Sequence, residues 1–192
     1  MLERYIIEQV LKYLLTIKNK DVYALLILVT CNEGCSYKDI DSFMSVSINY
    51  NCNNYDKSIT EEEKWNIAFW DDSNEYIIID AEDNKEGAEI LYKWYKDNNI
   101  NDVGYEDEDQ MYDENMNYIG TGPNGYKELC LLISKIIYNI KKSSVICDWL
   151  KNIPVLILNY DYSYYITDFI TIANPYNEAD AFLNYYRRNI SD

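Results

Sequence analysis

Between Lys96 and Lys127 the chain has no basic residue, yet it carries Asp97, Asp102, Glu106, Asp107, Glu108, Asp109, Asp113 and Glu114. These eight carboxylates equal half of the formal net charge of -16. Like charges this crowded repel one another, so something local has to favour them, and attraction of a cationic partner is the first suspect. Large side chains are threaded through the same stretch: Tyr105, Met111, Tyr112, Met116 and Tyr118. A loop that only keeps a protein dissolved does not need them, whereas a binding surface does. They would equally serve to pin the loop to the core, so a solvated loop stands as the alternative. The candidate partner-binding residues are Tyr105, Glu106, Asp107, Glu108, Asp109, Tyr112, Asp113 and Glu114.

Other chemistries find less support. Histidine is absent, which removes the one side chain with an unperturbed pKa near neutrality, and with it the Ser-His, Cys-His and His-metal arrangements. A catalyst would have to use carboxylates, Lys, Tyr or Cys. Gly120, Gly122 and Gly125 fit the G-x-G-x-x-G string before a helix, but polar, acidic residues precede them where a dinucleotide fold needs a buried strand. A glycine turn with Pro123 near the start of the helix is the expected structure. Cys31 and Cys35 have three residues between them rather than the two of a redox pair, and with Cys52 they do not complete a zinc set, so buried thiols are expected. Calcium suits carboxylates, yet the stretch from Glu106 to Met111 lacks the glycine turn of an EF-hand loop. Two carboxylates acting as acid and base cannot be picked from 33 without their separation. No catalytic, cofactor-binding or metal residue is assigned, and no cofactor is expected.

Composition narrows the partners. Acids outnumber bases 33 to 17, which disfavours nucleic acid and anionic membranes because such binding works through Lys and Arg. The opening residues place Glu3 and Glu8 among apolar ones and show no secretion signal. The apolar run from Val22 to Cys31 is too short for a membrane helix, which needs roughly 20 residues. Five scattered cysteines suit a reducing compartment, and the expected location is cytoplasmic.

The elements that must position the acidic stretch are read from periodicity. Leu2, Ile6, Val10, Tyr13, Leu14 and Ile17 recur at helical spacing, and Val22 to Thr30 reads as a strand buried on both faces. Ser45 to Tyr50 alternates and predicts a strand with one wet face. Thr60 and Glu63 match a capping box, predicting a short helix entering at Trp65. Tyr76 to Ile79 reads as a strand, Lys85 to Asn98 as a helix, and the stripe from Tyr126 to Ile140 as a long helix whose Lys141 and Lys142 complement the C-terminal dipole. Ser144 to Leu150 suggests a short helix and Pro154 to Leu158 a strand, while the type of Tyr164 to Ile172 stays open. A final helix is expected to be capped by Asn174, with Pro175 in its first turn and Arg187 and Arg188 at its end. Twenty-one tyrosines are expected at the edge of the core with their hydroxyls in water, or in part at an interface.

Three stretches carry a resemblance: Lys64 to Trp70; Tyr112 to Gly120 with Gly122 to Tyr126 beyond it; and Ala173-Asn174-Pro175 with Glu178-Ala179-Asp180. Together they resemble an uncharacterised bacterial family of domains of unknown function, some of whose members are suspected immunity proteins of polymorphic-toxin systems. The likeness runs from about Trp65 onward and marks no catalytic residues. It implies a cytosolic protein that binds a toxin.

Charge and resemblance lead to one expectation. The chain is an α+β protein, a single domain over residues 1–192, with a mixed or antiparallel sheet of about four to six strands and packed helices. Its expected function is that of a non-catalytic acidic binding protein, an immunity protein that neutralises a cationic toxin. The alternatives are a carboxylate- or metal-dependent enzyme and a cytosolic scaffold or regulator.

Overall fold

The most apolar segment forms the middle of the sheet. Val22–Cys31 (β1) lies between Met44–Cys52 (β2), to which it runs antiparallel, and Val155–Leu158 (β4), to which it runs parallel. Tyr76–Ile79 (β3) pairs antiparallel with the far side of β2, giving the order β3-β2-β1-β4. Ile27 marks the register, facing Ile48 on one side and Ile157 on the other. Nine of the ten β1 residues are buried, as a central strand covered on both faces requires. The computed structural model describes residues 1–31, 34–53, 59–107, 111–116, 119–120, 122–143, 148–160 and 165–189.

Helices cover both faces. On one, Leu25, Ile27 and Val29 with Val46, Ile48 and Ile157 pack against Leu2–Ile17 (α1), Lys85–Asp97 (α3) and Tyr126–Lys142 (α4). On the other, Leu26, Leu28, Leu156 and Leu158 meet Trp65 and Trp70, together with side chains of Ile166–Ala173 (α5) and Asp180–Asn189 (α6). Trp65 closes the short helix Glu61–Trp65 (α2). Among the described residues this is an α+β fold of six helices on a four-stranded mixed sheet, as the sequence pattern indicates.

The predicted apolar stripes are the buried ones in α1 and α4, and the Thr60–Glu63 capping box forms with both reciprocal bonds. Three expectations change and one open segment is settled. The helix near Trp65 ends there instead of entering there. The polar face of β2 is covered rather than wet: Ser47 and Asn49 are buried, Ser47 donating to Glu75 and Asn49 to the Asp71 carbonyl, while Ser45 and Thr30 share a 2.6 Å bond. The covering turn from Asp71 to Glu75 brings the polar partners that these side chains need. Residues 166–173 resolve as helix α5. Asn174 ends α5 rather than starting the last helix, which begins at Asp180, because its side chain is taken up by the β4 backbone. Of the short helix predicted from Ser144 to Leu150, residues 144–147 lie outside the described residues, and a 3-10 turn spans Asp148–Asn152.

Many tyrosine hydroxyls are clamps within the protein rather than wet tips. Tyr13 donates to the Asn74 carbonyl, Tyr23 to the Lys64 carbonyl at 2.8 Å, Tyr76 to Gln9 at 2.6 Å and Tyr95 to the Met44 sulfur at 3.0 Å. Each phenol buries a large apolar ring and satisfies its one polar atom against a distant element.

Candidate functional site

The acidic stretch is a loop between α3 and α4, tied down at its base. α3 ends in a turn in which the Ile100 amide donates to the Tyr95 carbonyl and the Asn99 amide to the Lys96 carbonyl, with Asn99 left-handed at φ +54°. Asn tolerates that conformation better than other side chains. Val103 is buried, and Gly104, at φ +82°, lies so close to Ser42 that a Cβ would stand 2.2 Å from the Ser42 carbonyl oxygen. Only glycine fits both the backbone angle and the contact.

Backbone bonds then lace the two arms together. The Gly104 amide donates to the Asn124 carbonyl at 3.0 Å, and the Asn124 amide to the Tyr105 carbonyl at 2.9 Å. Farther out, the Gly122 amide donates to Glu106 Oε1 at 3.1 Å, and the Ile119 amide to the Met111 carbonyl at 2.7 Å. At the tip Asp113 caps its own turn, its carboxylate accepting from the Asn115 amide at 2.8 Å and its carbonyl from the Met116 amide at 3.0 Å.

This lacing decides where the predicted residues fall. Tyr105, Tyr112 and Glu114 are exposed, while Glu106, Asp107 and Asp113 are half-buried. Glu108 and Asp109 lie outside the described residues, as does Tyr118. Glu106 and Asp113 each spend one carboxylate oxygen on a loop amide, so both help to hold the loop as well as charge it. Of the large side chains, Tyr105 is 61% exposed, Tyr112 48% and Met116 75%, as is the neighbouring Ile119 at 56%, while Met111 is half-buried. The glycine string ends in a turn, Gly125 capping α4 at φ +87° with Pro123 just before it, and no strand precedes Gly120 among the described residues.

A buried polar cluster lies elsewhere. Lys141, placed by periodicity on the apolar stripe of α4, is fully buried, and its Nζ donates to the Ile153 carbonyl, Asn174 Oδ1 and Glu178 Oε1 at 2.7–2.8 Å. Burial brings its pKa down to about 8, against the upward pull of Glu178. Asn174 uses its whole capacity: Oδ1 also accepts from the Val155 amide, and Nδ2 donates to the carbonyls of Val155 and Ile170. Satisfied and buried, the cluster joins α4, β4, α5 and the turn after it. Sequence reading placed Lys141 at the helix dipole; the missed signal was a lysine four residues beyond Ile137, in line with the buried face of α4.

Cys31, Cys35, Cys52 and Cys130 are free thiols, and burial pushes those of Cys35, Cys52 and Cys130 upward, away from nucleophilic thiolate. Cys147 lies outside the described residues. Among the described residues no three acidic or thiol side chains gather as a metal site would require, and no helix is long and apolar enough to cross a membrane.

One concave feature adjoins the loop. A groove of about 570 Å³ opens between the end of α3 and the start of α4, walled by Trp94, Asn98, Asn101, Asp102, Asn124 and Glu128. Its floor is Gly125, where a Cβ would come within 2.9 Å of the Tyr95 ring and 3.3 Å of Ile100. The left-handed turn at Asn99 brings Ile100 back toward Tyr95, and glycine at 125 lets the start of α4 pack directly on both. No family model, curated protein or solved structure matches the chain.

Proposed function

We propose that the chain is a non-catalytic binding protein that docks a cationic protein on the loop from Tyr105 to Ile119. One observation carries the reading: Tyr105, Tyr112, Met116 and Ile119, four large side chains, are exposed within a single acidic loop whose backbone is laced by its own hydrogen bonds. Aromatic residues and methionine are enriched at protein interfaces. The surrounding carboxylates would steer a basic partner and raise its association rate by about 10 to 10³-fold at low salt. A laced loop also limits the ordering entropy lost on docking. The resemblance to a family with suspected immunity proteins supports a toxin as that partner, and the acidic loop supports its being basic, neutralised in the cytosol of the cell that makes it.

The test is co-expression with a toxin domain encoded beside this chain's gene, followed by stopped-flow association. Protection from the toxin is expected, with a rate that falls as salt rises. Changing Glu106→Gln, Asp107→Asn and Glu114→Gln together should slow association about tenfold at low salt. Tyr105→Ser with Tyr112→Ser should accelerate dissociation. Association indifferent to salt and to the three neutralisations would remove the loop from the interface.

A further inference from the structure

Resting on the binding role just proposed, we infer that the groove between α3 and α4 receives an arginine side chain of the docked partner. The groove and the loop share a base: Asp102 and Asn124 line the groove, and Asn124 exchanges backbone hydrogen bonds with Gly104 and Tyr105, where the loop begins. A chain lying along the loop therefore passes the groove mouth.

Charge selects a cation. Asp102 and Glu128 face the groove and form no ion pair among the described residues. The nearby lysines are turned elsewhere, Lys93 to Glu89, Lys96 to Asp39 and Lys127 over the Tyr165 ring. The α4 N-terminus, with no side-chain cap on Gly125, would by itself favour an anion, but Glu128 in its first turn already supplies that charge. A carboxylate-bearing ligand would meet Asp102 and Glu128 as like charges.

Shape and acceptors then favour guanidinium over ammonium. Half-buried Trp94 lines the groove, and arginine is the cation that stacks flat on an indole. The Asn98 amide nitrogen is committed to the Trp94 carbonyl at 2.8 Å, leaving its oxygen as the accepting end of that carboxamide. Carboxamide and carboxylate acceptors spread around one cavity suit a planar fork of five N–H donors better than the single compact head of lysine. A neutral sugar would use the tryptophan and the carboxamides but gain nothing from the two charges.

The test uses acetylated tetra-arginine and tetra-lysine peptides, which carry equal charge, titrated into the full chain at low salt by calorimetry. The arginine peptide should bind about tenfold more tightly. Asp102→Asn with Glu128→Gln should erase that preference, as should Trp94→Leu; the first pair is close to isosteric, and Asn suits the left-handed backbone at position 102, φ +48°. Equal affinities for the two peptides, no binding of either, or a preference that survives in the Asp102→Asn, Glu128→Gln protein overturns the inference. The loop variant Glu106→Gln, Asp107→Asn, Glu114→Gln separates the two proposals. If it weakens both peptides alike while no arginine preference exists, the groove fails and the loop stands; if it changes nothing while the preference persists, the groove stands and the loop loses its role.

Discussion

Removing one partner of the Lys141–Glu178 pair should damage the fold far more than removing both. The two charges are 2.8 Å apart with side chains 0% and 4% exposed. At that distance and an effective dielectric near 20, their attraction is about 6 kcal/mol. Desolvation takes back several kcal/mol per ion. The pKa of about 8 shows which effect wins, since a fall from 10.5 corresponds to about 3 kcal/mol in favour of the neutral amine even with Glu178 present. Glu178→Gln leaves the buried ammonium with only neutral acceptors and should lower stability by about 3 kcal/mol at pH 7. Lys141→Met, which strands the carboxylate, should do the same. Lys141→Met with Glu178→Leu should lose less than either single change. The sign with pH follows from the lowered pKa: between pH 8 and 10.5 the unfolded chain holds a proton that the folded one has released, so this group's contribution to stability rises with pH across that window. In Glu178→Gln, Lys141 loses its proton more readily, so the deficit should shrink between pH 7 and pH 9.5; in Lys141→Met no amine remains to do so. Urea unfolding at the two pH values reads all of this. Additive losses in the double variant, or a Glu178→Gln deficit indifferent to pH, would refute the reasoning.

Gly104→Ala should destabilise by about 2 kcal/mol or more, because it combines a left-handed backbone with a Cβ 2.2 Å from a carbonyl oxygen; thermal unfolding measures it, and an unchanged midpoint would mean the loop base does not sit on Ser42. Alkali should unfold the protein cooperatively: burial raises the pKa values of Tyr13, Tyr23 and Tyr95 above 10, so their stabilisation is complete below pH 10 and lost as pH climbs past it. Circular dichroism and phenolate absorbance at 295 nm, an ordinary tyrosinate wavelength, should change together; phenols that ionise near pH 10 while the fold persists would contradict their burial.

The frame of this fold was legible wherever one periodicity ran without interruption. The stripes of α1 and α4 and the continuous apolar run of β1 announce their burial directly, because 3.6- and 2-residue repeats map onto faces. Legibility failed where a side chain's partner lies far along the chain. Asn174 reads as a helix start because a cap is a local pattern, whereas its real bonds reach Val155, 19 residues away, and Lys141, 33 away. Ser47 and Asn49 read as wet for the same reason, their cover coming from the turn at Asp71 to Glu75. For the candidate site, charge and side-chain type located the loop, but neither the exposure of its tyrosines nor the groove at its base could be read, since both depend on how α3 and α4 meet.

Asparagine closes a rung on each margin of the sheet. Asn174 both donates to and accepts from the Val155 backbone on β4, and Asn84 donates to the Ile78 carbonyl on β3 at 2.8 Å. A foreign strand trying to zip onto either margin would first have to evict a carboxamide that already plays its part. Association through main-chain extension, the route by which sheets recruit other chains into fibres, is thereby obstructed at both positions.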